Sequence, residues 1–221
     1  MGLKKVHDYL EKYQDAAELL ENDYFELAIC EVVLGNYSKA QTLFIKSVEA
    51  MFGTNPLWLA SSQPNWLVDI FILSGRFDLY PSVLEGFNRL RLKSTKIQPV
   101  ASSPMAHYCY SVMEILFPSS GDITAWIKDL LKRPKYKDLY AAGLALQAIV
   151  DREQSAFTDS MGLLLKAHEG QAKHGDLRWT PEGWLSLPAM SLSYLAKKNG
   201  LKVEIENEYL SLGYLEYLME K

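Results

Sequence analysis

The chain has 221 residues, is 48% hydrophobic and carries a formal net charge of −4. This is long enough for a sizeable core, and 1–221 is expected to form one domain because no Gly-, Ser- or Pro-rich linker divides it. A mildly acidic balance argues against a general nucleic-acid binder and is compatible with a basic protein partner.

Leu3 to Glu21 reads as an amphipathic helix, with Val6, Leu10, Tyr13, Ala17 and Leu20 along one face. Its charged residues are unlike a signal peptide, and no stretch approaches the run of roughly 20 apolar residues that crosses a bilayer. The two cysteines, Cys30 and Cys109, fall in apolar helical patterns. They are expected as buried thiols in a reducing compartment, here the cytoplasm. Asp23 is the expected cap of a helix from Tyr24 to Leu34, stopped by Gly35-Asn36. A second helix follows from Tyr37 to Met51, with Ala40, Leu43, Phe44, Ser47 and Val48 inward.

The same helix–turn–helix form is expected over Trp66–Leu73 and Leu79–Leu92, and again over Tyr136–Val150 and a helix capped by Asp151 that runs to Glu169. Small residues near the helix starts allow close antiparallel pairing. The rhythm resembles tetratricopeptide-type units without their full aromatic and proline signature. The expected fold is therefore all-α, an irregular stack of antiparallel helix pairs. Phe52–Asn65, which holds Trp58, and Thr95–Ser103 are the main loop candidates. Helices are expected at Pro104–Leu116 and Asp122–Leu131, and a final one at Tyr209–Met219, interrupted by Gly213. Leu201–Ile205 is expected as an extended loop.

Asp176 to Gly200 describes a joint. Thr180-Pro181 fits a short helical start. Ser186 fits the cap of a helix bearing Pro188 in its first turn and Lys197 and Lys198 in its last, with Asn199-Gly200 as the stop. Trp179 and Trp184 read as wedges seating this helix against its neighbours. The alternative is that one of them is exposed as a binding anchor.

No constellation for chemistry is found. His168 and His174 diverge on a helix, as do His107 and Cys109, and no zinc or di-metal spacing occurs. No nucleophile elbow or phosphate-binding glycine loop is present. No cofactor is expected. Glu204, Glu206 and Glu208 read as a solvated edge, and Lys128–Lys137 as a solvated helix end and loop. Asp69 interrupts the apolar run WLVDIFIL. It reads either as a first-turn residue supporting a helix N-terminus or as a buried carboxylate paired with Arg76.

The stretch RWTPEGWLSLPAMSLSYLAKKNGLKVE, through Leu185, Leu187, Ala189, Leu192, Leu195, Ala196, Gly200 and Leu201, resembles the end of the bacterial immunity 49 family. VVLGNYSKAQTLFIKSVEA and NWLVDIFILSGRFDLYPSVL also look similar, so the resemblance runs from about Tyr24 to Val203. It implies a protein of bacterial competition systems that is not an enzyme and neutralises a cognate polymorphic toxin by binding it. The partner implied is the toxin's C-terminal domain; a basic nuclease-type toxin suits the acidic chain. No direct nucleic-acid or membrane contact is implied. Candidate partner contacts are Trp58, Trp179, Trp184, Glu204, Glu206 and Glu208. The rival reading is a helical-repeat adaptor that binds peptides.

Overall fold

The computed structural model describes residues 3–13, 21–54, 64–79, 81, 103–119 and 121–221. All regular structure among them is helical: α1 Leu3–Tyr13, α2 Glu21–Val33, α3 Tyr37–Thr54, α4 Pro64–Ser74, α5 Pro104–Leu116, α6 Ile123–Leu131, α7 Lys137–Asp151, α8 Gln154–His174, α9 Leu187–Lys198 and α10 Leu212–Met219, with short 3-10 turns at Phe77–Leu79, Asp176–Trp179 and Pro181–Gly183. The all-α expectation holds for these residues. The expected helix over Leu79–Leu92 and the loop at Thr95–Ser103 lie almost wholly outside them.

α4 is the centre. Every residue from Leu67 to Ser74 is buried, as expected of a helix apolar on all sides. α3, α5 and α9 surround it. α9 is buried from Leu187 to Ala196 apart from the half-buried Pro188, and touches α4, α5, α7 and α10. One continuous apolar cluster connects Val6 on α1 to Leu218 on α10.

Two tight hairpins, α2–α3 and α7–α8, are each joined by two or three residues and packed along their length. Both first helices end in the same way. After α2, Gly35 takes φ 81°, its N–H reaches the Val32 carbonyl, and the Asn36 N–H reaches Glu31 at 2.8 Å. After α7, Arg152 takes φ 58°, with N–H bonds from Arg152 to Ile149 and from Glu153 to Ala148. These are paired carbonyl-capping bonds around a left-handed residue. α9 ends likewise at Gly200, φ 86°, with Leu201 N–H on Ala196.

Several boundaries differ from expectation. α2 begins at Glu21, so Asp23 lies inside it. Asp151 is the last residue of α7, and Glu153 is the cap of α8, which continues to His174. Gly213 sits inside α10 and does not break it. The Ser119–Asp122 spacing fits a capping box with Ser119 as the cap, but Asp122 is itself the cap of α6, accepting from the Ala125 N–H at 3.0 Å, while the Ser119 hydroxyl binds Glu114. Ser186 is the cap residue of α9 by position, without a side-chain cap hydrogen bond. Residues 201–207 carry no helix or strand.

Candidate partner-binding surface

Asp69 is fully buried in the middle of α4, neither in a first turn nor beside Arg76. Arg76 instead binds Asp78 and Glu49. The partner of Asp69 is Tyr108 of α5, whose hydroxyl donates to Oδ1 at 2.7 Å. Burial pushes this carboxyl up to about 7, against the opposing pull of Tyr108 and Ser191. His168 is buried on α8 with its ring 5.0 Å from that of Tyr209. Burial holds it down to about 4, although a hydrogen bond with the Gly183 backbone pulls the other way. Among the described residues no three His, Cys, Asp or Glu side chains gather as metal ligands. Asp69 lies too deep to meet a reactant.

The exposed features are of another kind. Trp179, on the 3-10 turn after α8, is 70% exposed. The Arg178 guanidinium lies 4.5 Å from its ring centroid and the Lys5 ammonium of α1 lies 5.1 Å away. Trp184, five residues on, is buried and meets the Tyr9 ring edge-on at 6.0 Å. The two tryptophans therefore divide between the two readings: Trp184 is the wedge, and its burial removes it as a surface contact, while Trp179 stands in solvent. The Tyr9 hydroxyl also hydrogen-bonds Glu26, whose carboxyl is raised to about 7 by partial burial and by the nearby Glu182.

A second feature lies between the start of α7 and the middle of α8. A groove of about 750 Å³ is walled by Tyr136, Tyr140 and Leu163, with Lys135, Lys137 and Lys166 on its rim. Leu163 is 51% exposed and Tyr136 44%. The Lys135 ammonium covers the Tyr136 ring at 5.1 Å. The last residues of the basic run read as a solvated helix end, Pro134 to Lys137, thus line a recess. The groove shares Asp138, Ala167 and Gln171 with a smaller cavity of about 120 Å³ that also touches His168, Glu182 and Ser186.

Sequence reasoning did not find this groove. The available signal was Leu163-Leu164-Leu165 on α8: Leu164 and Leu165 face the core, and a third consecutive leucine on a helix must point elsewhere. Trp58 lies outside the described residues. Glu204, Glu206 and Glu208 are exposed, and the Glu204 carboxylate stands 4.0 Å from the Lys202 ammonium.

Among the described residues these features define an all-α fold whose exposed surface offers apolar and aromatic contacts under cations. Residues 122–210 match the model of the family described as Immunity protein 49, the family this sequence resembles. The matched segment contains α6 to α9, the groove, Trp179 and all three glutamates. No curated protein and no solved structure matches the chain.

Proposed function

We propose that this chain is a cytoplasmic immunity protein, one domain over 1–221, that neutralises a cognate polymorphic toxin by binding its C-terminal domain and performs no catalysis. The observation that carries this reading is the Immunity protein 49 match over residues 122–210, a family whose description implies a toxin partner. The geometry adds support. The matched segment is also where Trp179, Tyr136 and Leu163 are exposed, and large rigid apolar side chains in solvent are the usual anchors of protein interfaces. The net charge of −4 and the edge of Glu204, Glu206 and Glu208 suit a basic, nuclease-type toxin drawn in by steering.

The test is a growth assay. The C-terminal domain of the protein encoded immediately upstream is expressed in a susceptible bacterium, with and without this chain. Collapse of growth alone and recovery on co-expression support the reading. A harmless neighbour, or toxicity that persists with this chain well expressed, overturns it. Charge reversal at the three glutamates tests the acidic edge, and unchanged binding after that change removes it.

The adaptor reading draws on the α7–α8 hairpin, whose groove would serve a tetratricopeptide-like stack binding peptides in a concave face. It differs in expecting several weak partners in place of one tight one.

A further inference from the structure

The α7–α8 groove has a chemistry of its own, opposite in sign to that of the whole chain. Its floor and walls offer two tyrosines, Pro134 and a half-exposed leucine. Its rim carries Lys135, Lys137 and Lys166, and Asp138 is its one lining carboxylate. A net negative protein has therefore gathered three ammonium groups around an exposed apolar recess. Trp179 repeats the arrangement, lying beside Arg178 and Lys5. Lysines around an apolar recess favour a partner whose apolar side chain is flanked by carboxylates, and disfavour a basic one by like-charge contact.

We infer that the groove between α7 and α8 receives a segment of the toxin domain that presents an apolar side chain flanked by acidic residues, with that side chain against Leu163 and Tyr136 and the carboxylates on Lys135, Lys137 and Lys166. This rests on the immunity reading and adds to it the place and chemistry of the contact. It is independent of the toxin's overall charge, because only the inserted segment meets the lysines. A volume of about 750 Å³ is within the range of pockets that enclose several side chains. Leu163, in the middle of α8 with half its surface in water, gains burial only when something covers it.

The probe is the purified C-terminal domain of the protein encoded immediately upstream, titrated calorimetrically into the full chain and into Leu163→Asp, Lys137→Glu/Lys166→Glu and Glu204→Lys/Glu206→Lys variants. Each variant is checked by circular dichroism and thermal melting. Exposed positions are chosen so that folding is kept. The expected result is a loss on the order of 30-fold for Leu163→Asp and for the lysine reversal, while the glutamate reversal reads the acidic edge separately. Binding of the lysine variant should also lose the weakening that added salt causes in the wild type. Tight wild-type binding that both groove variants keep overturns the groove and leaves the immunity reading standing. Failure of the wild type to bind or rescue overturns both. Two other occupants also overturn the inference: a second copy of this chain, seen as a dimer that Leu163→Asp dissociates, and nucleic acid, seen as a single-stranded oligonucleotide that binds the wild type and not the lysine variant.

Discussion

The Tyr108 hydroxyl donates a 2.7 Å hydrogen bond to Asp69 in the middle of the core, where neither side chain meets solvent. The two residues connect α5 to the central α4, and Ser191 of α9 is the next polar group at this place. Burial raises the Asp69 carboxyl from 3.8 to about 7, so the folded state holds a proton that the unfolded chain releases.

The sign of the pH effect follows. An acid whose pKa is raised by folding contributes stability that is fully present below about 4 and is lost as pH rises through about 7. Asp69 should therefore cost the wild type about 3 kcal/mol between pH 5 and pH 8. Asp69→Asn cannot ionise and keeps an acceptor for Tyr108. Urea unfolding at the two pH values should show the variant's stability changing less than the wild type's by about that amount. Equal pH dependence in both would mean that Asp69 is ionised throughout.

Trp179 and Trp184 should respond oppositely to truncation. Trp184→Ala opens space beside Tyr9 in a buried position and should lower stability by about 3–5 kcal/mol. Trp179→Ala removes the contacts with Lys5 and Arg178 at a mostly exposed position and should cost no more than about 1 kcal/mol. If Trp179 is an anchor, its loss appears in toxin binding. Thermal melts and calorimetric titration separate the two effects.

Two glycines within helices predict changes of opposite sign. A Cβ at Gly143 of α7 would come within 2.9 Å of the Leu130 Cβ on α6, an atom that moves only with its backbone. Gly143→Ala should therefore destabilise by about 1–3 kcal/mol despite alanine's better helix propensity. Gly162 of α8 has nothing within 4 Å of the same position. Gly162→Ala should stabilise by about 1 kcal/mol. Denaturation midpoints of the two variants relative to the wild type check both signs.

Arg152 holds the left-handed position that Gly35 and Gly200 hold elsewhere. A side chain there costs about 1–2 kcal/mol of backbone strain, part of which glycine's greater freedom in the unfolded chain offsets. Arg152→Gly should raise stability by up to about 1 kcal/mol, and Arg152→Val should lower it, since a β-branched residue fits this conformation poorly. Chemical denaturation of the two variants should place them on opposite sides of the wild type.

Local signals carried most of what could be read before the structure. Ser186, Pro188 and Asn199-Gly200 bound α9 because a cap, a first-turn proline and a left-handed glycine each act within a few residues. At α6 the Ser119–Asp122 pair marked the start, although the cap itself is Asp122. The Asp69 pair was not legible, because its partner lies 39 residues away and tyrosine gives no sequence sign of donating to a carboxylate. The end of α7 was legible to within one residue, at Val150 against Asp151, but the left-handed residue that closes it was not, since nothing in the sequence marks an arginine for that conformation. The groove is built from residues 134–141 and 163–171, and its shape belongs to the hairpin and not to either segment. Trp179 and Trp184 look alike in sequence. Burial separates them.

The buried thiols have a practical consequence. Cys30 is pushed up to about 12, mainly by burial and then by Glu31 and Glu26, and burial also holds Cys109 well above its ordinary value. Neither forms a disulfide. Alkylating reagents attack the thiolate, so the folded protein is close to inert towards maleimides at neutral pH. One cysteine introduced at Leu163 or at Trp179 would then be the sole reactive handle. It could carry a fluorophore that reports coverage of the groove or of the exposed tryptophan position without any change to the native pair. The same native pair would report global opening, because their modification requires water to reach α2 and α5.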